Sequence, residues 1–318
     1  MTQPILIGIA AGVAAALLYL APLSGSGLAF PLFILTALPV AIAAIGWGVV
    51  AGISAGIAGV AVVGVMLPGL VPGTIFLVLF AAPIVWLARL AGMSRAVDAS
   101  DPAAGVEWYP LGRILLHAAV AVPVSLIVIG IVIAYDPEIV AAEATRTLLD
   151  FMPAAETGEP APTAESIAPF VDLYVAILPF TLAMFMLAVV VFNLWLGAFT
   201  ARASGRMVRP AERLWTVVLP NEILIGFGVT LVLALLLPGG LGDLAAVFAG
   251  AFGCALALVG LAVLHALTLG MAGRGVILGV SYALIFFSGL PLVLFAALGA
   301  AENFLQLRAR RFAGAPPT

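Results

Sequence analysis

Long, continuously apolar runs separated by short breaks of Gly, Pro and Ser set the pattern of this chain. Four of them, roughly 4–22, 29–46, 48–66 and 72–91, precede the first charged cluster. They are divided by Ser24-Gly25-Ser26-Gly27, by Gly46-Trp47-Gly48 and by Pro68-Gly69. Each approaches or reaches the roughly 20 residues that a helix needs to cross a hydrocarbon layer about 30 Å thick. The breaks are tight, so neighbouring helices are predicted to form hairpins. A transmembrane barrel would alternate apolar and polar positions over short segments, which these runs do not do.

Further runs cover about 114–135, 170–200, 217–237, 243–269 and 276–301. The pattern predicts an all-α, polytopic transmembrane helical bundle of about eight to ten membrane segments in one integral membrane domain. Residues 1–91 form its N-terminal four-span bundle and 217–307 its C-terminal spans. Asp243 is expected to act as an N-terminal cap or first-turn acid of its helix. The first run, Pro4 to Pro22, has no basic residue before it and no cleavage site, so it is expected to be retained and not removed as a signal peptide.

Polar stretches separate the later runs. Residues 92–113 carry Arg95 and Arg113 with Asp98, Asp101 and Glu107, and Arg89 stands just before them. Residues 136–169 hold seven carboxylates against the single Arg146. Their first half, Pro137 to Phe151, has apolar positions that can share one side of an interfacial helix. The second half, rich in Pro and small polar residues, reads as a linker. Residues 201–216 hold Arg202, Arg206, Arg209 and Arg213.

Basic loops stay in the cytoplasm, so 92–113 and 201–216 are predicted inside, 136–169 outside and the amino terminus inside. One final crossing would leave Arg308, Arg310 and Arg311 outside. Either a break at Ser288-Gly289-Leu290-Pro291 returns the tail to the cytoplasm, or the count of the first spans is wrong; a cytoplasmic tail is preferred.

Composition agrees with the pattern. The chain is 64% hydrophobic and 8% charged with mean hydropathy +1.28, whereas a soluble domain carries charge on roughly a quarter of its residues. The lone Cys254 excludes an intrachain disulfide and a thiolate metal cluster. GxxxxGK[ST], GxSxG and HExxH are all absent, so neither an ATP-driven motor nor a standard hydrolase is expected in the chain itself. No enzyme activity, cofactor, metal or nucleic-acid partner is expected.

Polar residues inside spans are costly in lipid, which directs attention to Asn193, Glu222 and His265 as substrate-binding candidates. The structural alternatives are a helix-to-helix hydrogen bond for His265 and a first-turn acid paired with Arg209 or Arg213 for Glu222. His117 is expected near the interface, and Asp172 and Glu302 near enough to segment ends to reach water. Trp108, Tyr109, Trp195 and Trp215 fall near predicted interfaces, as an aromatic belt would. Gly8 and Gly12, Ala11 and Ala15, and Gly48, Gly52 and Gly56 recur four apart, a spacing for internal packing or for docking another subunit. The four Arg of 201–216 are a candidate patch for anionic lipid headgroups or a protein partner.

Asn193 near the end of a long span, the connector SGRMVRP from Ser204 to Pro210, Pro220 opening the next span and the closing LGAAENFLQLRARR from Leu298 to Arg311 together resemble the bacterial DUF2232 (YybS-like) membrane family. That family is similar, distantly, to the substrate-binding components of energy-coupling-factor vitamin transporters. The resemblance implies a bacterial inner-membrane protein with a small-molecule or lipid substrate, and a membrane coupling subunit with an ATPase as partner. The docking alanines it implies are Ala11 and Ala15, or Ala10 and Ala14. The competing expectation is a membrane scaffold or assembly protein that works through its Arg-rich loop.

Overall fold

The computed structural model describes residues 2–98, 105–152, 162–213, 217–289 and 291–312. Asp101, Glu156, Glu159, Trp215 and most of the expected linker lie outside them. The fold is an all-α polytopic bundle. Seven helical stretches are long and apolar enough to cross a membrane. They are α1 (Thr2–Tyr19), α2 and α3 (Ala29–Ile34, Leu38–Trp47), α4 (Val49–Met66), α5 to α6 (Leu70–Ile75, Ala82–Ala91), α7 (Leu111–Val132), α9 (Ala164–Ala203) and α11 (Gly240–Leu267). A π-helical turn, Phe76–Ala81, joins α5 to α6. Shorter apolar helices are α10 (Asn221–Leu236), α12 (Arg274–Ser288) and α13 (Pro291–Leu305). The predicted helix Pro137–Phe151 forms as α8, with the Asp136 side chain accepting from the Glu138 amide at its N-cap.

Some boundaries differ from the apolar pattern. Residues 92–113 contain a small antiparallel hairpin, β1 (Ser94–Ala96) with β2 (Val106–Trp108), in which Arg95 faces and ion-pairs Glu107. The seventh run begins its helix only at Asn221, after an extended Pro220, leaving 217–220 outside it. Asp243 lies in the first turn of α11, but the cap position belongs to Gly239. At 40 residues, α9 is about 60 Å long, twice the thickness of the hydrocarbon layer.

The central helix is α11. Its most apolar window is 72% buried, against 44% or less in the other six long stretches. It packs on α7, α9, α10, α13 and α14 (Leu307–Phe312). Lipid gives helices no hydrophobic reason to associate, so close backbone approach carries the packing. A Cβ placed on Gly260 would sit 1.9 Å from the Phe295 carbonyl oxygen, and one on Gly299 would sit 2.0 Å from that of Leu256. Gly250 approaches the Phe180 carbonyl as closely, at 2.0 Å.

The first four spans are built the same way. Gly8 and Gly12 of α1 lie on the Ala51 and Ala55 carbonyls of α4, with Ala15 fully buried beside them. Gly52 lies against Ala44 of α3, and Gly56 against Ala81. This stripe is therefore filled from within the chain. Gly48 stands apart from it as the turn between α3 and α4, at φ 88° with open space where a side chain would go. Its place in the expected helix-packing series is a correction, because a left-handed turn residue cannot belong to a helix face.

Hydrogen bonds and ring contacts sort the helix ends into two groups. Arg209 donates to the Ala91 carbonyl and lies over Trp108, Arg206 lies over Trp47, Arg308 donates to the Val217 carbonyl and Arg311 to that of Leu269. The ends of α3, α6, α9 and α11, the starts of α7 and α10, and the tail thus share one end. At the other, Tyr19 donates to the Pro72 carbonyl, and Tyr135 lies near Asp243 and Tyr174. Gly289, at φ 65°, ends α12, and α13 brings the chain back to its starting end. Of the two expected explanations for the basic tail, the break after Ser288 is the one adopted. Eleven of the twelve Arg lie at this shared end, all but Arg146.

Gly260→Leu is expected to destabilise the bundle by about 2–3 kcal/mol through overpacking. Gly279→Leu, where nothing stands within 4 Å, should be close to neutral. Thermal unfolding of the two variants in the same detergent checks the contrast.

Candidate functional site

The connector after α9 builds the basic end. Gly205, at φ 66°, turns the chain back immediately past α9. Arg209 is then carried inside the protein, with 3% of its surface exposed. Its Nε and Nη2 donate to one oxygen of Glu212, its Nη1 donates to the Ala91 carbonyl at 3.2 Å, and the guanidinium lies 5.9 Å from the centre of the Trp108 ring. A buried cation is tolerable only with such partners. The Ala91 carbonyl belongs to the last turn of α6, where the helix dipole favours a positive charge.

Beside Arg209 lies a slot of about 280 Å³ between α6, α7, α9, α11 and the connector. Leu111, Ile114, Ala118, Leu194 and Val259 give it apolar walls. Its charged side chains are Arg202, Arg209 and Glu212, at the basic end. Arg202 donates to the Met207 sulfur at 3.6 Å, a weak acceptor, and its buried Nε has no hydrogen-bond partner. The slot therefore offers an apolar body and one under-used guanidinium. That chemistry suits a molecule with an apolar part and an acceptor at one end.

None of the three expected substrate residues lines this slot. Asn193 is fully buried, and its amide donates at 2.8 Å to the carbonyls of Val189 and Ile34. The Ile34 carbonyl is available because the Leu38 amide turns to Leu35 at the break between α2 and α3. Asn193 thus closes a gap in a neighbouring helix, as a backbone group freed in a membrane requires. His265 stands in the last turn of α11, not deep in a span, because the helix ends at Leu267. Its Nε2 and the Tyr282 hydroxyl lie 2.9 Å apart, joining α11 to α12. Glu222 is exposed in the first turn of α10. Its expected pairing with Arg209 does not form, since Glu212, three residues along, is nearer in sequence and takes the guanidinium.

Glu302 corrects another expectation. It does not reach water: it is 6% exposed, accepts the backbone amides of Leu307 and Arg308, and ion-pairs the Arg308 guanidinium. Gln306, at φ 48°, makes the bend that brings the two together. His117 is half-buried within the first two turns of α7, 3.0 Å from the Tyr109 hydroxyl and edge-on to Trp86. Asp172 is exposed. Among the described residues, no group of three His, Cys, Asp or Glu is arranged to hold a metal.

The slot is not legible from any motif. Arg202 and Arg209 belong to the expected basic patch, but the sequence carries no sign that they turn inward. Comparison with protein-family models, with curated proteins and with solved structures finds no match.

Glu302→Gln is expected to release the tail, because it leaves the Arg308 charge buried without its carboxylate, a loss of about 3–5 kcal/mol if the tail stayed in place. Limited proteolysis should then cut near Arg308 and Arg311 much faster than in the parent chain, while α1 to α11 keep their resistance.

Proposed function

We propose that this multi-pass membrane protein takes a small, largely apolar molecule or a lipid into the slot beside Arg209, acting as a transporter or as the substrate-binding component of one. The slot carries the reading: about 280 Å³ with apolar walls, lined at its basic end by Arg202, whose Nε lacks an acceptor. Its size stands near the lower end of ligand pockets, which run from about 300 to 1,000 Å³. The gathering of eleven Arg at one end supports assigning that end to the cytoplasm of a bacterial inner membrane, with the amino terminus inside.

The resemblance to the DUF2232 (YybS-like) family, and through it to vitamin-transporter substrate-binding components, supports the same reading. It implies a coupling subunit and a separate ATPase, since the chain has no phosphate-binding loop. Of the two alanine pairs suggested for docking, Ala15 is buried while Ala10 and Ala14 are exposed, beside the outward Leu6, Val13 and Leu17. Docking on α1 therefore belongs to Ala10 and Ala14. The scaffold reading through the Arg-rich loop is second, because Arg202 and Arg209 point into the protein and leave Arg206 and Arg213 as its outward charges.

Ala198→Trp places an indole in the slot from its α9 wall. Native mass spectrometry of the purified chain should then lose the small molecule or lipid that the parent chain retains, with the unfolding temperature close to unchanged. A parent chain that retains nothing, or a variant that retains the same molecule at the same occupancy, contradicts the assignment.

A further inference from the structure

A second cleft, of about 440 Å³, lies on the other side of Arg209 from the apolar slot. It is bounded by Arg89, Arg206, Arg209, Trp108 and the turn at Gly48 and Val49. It shares Arg209 and Met207 with the slot as a common wall. Three guanidinium groups line it and no carboxylate does. Arg209 is satisfied by Glu212 and the Ala91 carbonyl. Neither Arg89 nor Arg206 has a carboxylate partner among the described residues.

Two aromatic rings hold these two guanidinium groups in position. Arg89 lies 5.8 Å from the centre of the Trp86 ring, and Arg206 lies 5.1 Å from that of Trp47. Gly46 lets the Arg206 stem rest on α3, since even a Cβ there would meet the Arg206 Cβ at 3.4 Å. A ring beneath a guanidinium is attracted to its charge and leaves the N–H edges available. The start of a helix adds donors at the same place. Gly48 and Val49 line the cleft, and α4 begins at Val49 with Gly48 at its cap position and no side-chain cap. These unsatisfied groups around the cleft are all donors or positive charges.

We propose that this cleft binds a phosphoryl group, held between Arg89 and Arg206 at the start of α4. A tetrahedral dianion or monoanion offers several acceptors at once, which matches two guanidinium edges and uncapped helix amides. The site is separate from the apolar slot and stands whether or not the slot takes a ligand. Trp108 lines it, and Trp86 and Trp47 lie against Arg89 and Arg206 at the same basic end of the bundle, the level at which an interfacial aromatic belt and lipid headgroups meet. The phosphoryl group belongs either to an anionic lipid or to a soluble phosphate.

The test uses the full chain in mild detergent, titrated separately with phosphatidylglycerol, with phosphatidylcholine and with inorganic phosphate. Binding is followed by native mass spectrometry for the lipids and by calorimetry for phosphate. Arg89 and Arg206 are both exposed, so Arg89→Gln with Arg206→Gln should fold; Arg95→Gln with Arg310→Gln is the charge-matched control. The expected result is saturable binding that falls about tenfold or more in the first pair and little in the control, since each charge-assisted hydrogen bond lost is worth at least that factor. Preference for phosphatidylglycerol over phosphatidylcholine, without phosphate binding, supports the lipid source. Phosphate binding with the same dependence on Arg89 and Arg206 supports the soluble source. Equal loss in both pairs, no loss in the first, or no saturable binding of any of the three overturns the site.

Discussion

The burial of one guanidinium governs the basic end of this bundle. Arg209 cannot leave water without partners, and the partners it takes come from three places: Glu212 in its own connector, the Ala91 carbonyl at the end of α6, and the Trp108 ring of the hairpin. Satisfying that one charge fixes the connector against α6 and the hairpin. It also divides the space beneath into an apolar slot and a cationic cleft, both of which Arg209 lines. The tail repeats the device, with Arg308 buried against Glu302 and the Val217 carbonyl.

Elsewhere the bundle is held by the absence of side chains. Gly8, Gly12, Gly250, Gly260 and Gly299 each put a neighbouring carbonyl where a Cβ would otherwise stand. Such contacts are short-ranged and depend on register, so they fix helix positions closely without any charge. The buried Asn193 is used for repair, serving the carbonyl freed at the break between α2 and α3, while His265 and the exposed Tyr282 join α11 to α12 near the end of α11. Interior polarity in this chain thus marks broken or crossing helices more than it marks a binding surface.

This division of labour explains how far the fold is legible in the sequence. Continuous apolar runs and Gly or Pro breaks predict the helices and offer the break after Ser288 as one of two ways to place the basic tail, because these follow from local chemistry and bilayer thickness. Spacing identifies Gly8, Gly12, Gly52 and Gly56 as small-residue positions, but cannot separate Gly48, whose left-handed turn depends on where α3 stops. The inward course of Arg202 and Arg209 depends on tertiary packing, and no local signal encodes it. The Glu302 to Arg308 pair depends on a positive φ at Gln306, a conformation that the residue type gives no reason to expect.

The connector lines both the slot and the cleft, Trp108 of the hairpin lines the cleft, and Arg308 of the tail holds Val217 of the slot wall, so all three must stand at one end of the bundle. Substituted-cysteine labelling tests this directly in a Cys254→Ala background, with Arg95→Cys, Arg213→Cys and Arg310→Cys placed one at a time and Arg146→Cys as the opposing marker. An impermeant thiol reagent applied to intact cells should label position 146 alone, and the other three should react only after the membrane is opened. Labelling of position 310 or 95 from the same side as 146 would contradict that arrangement.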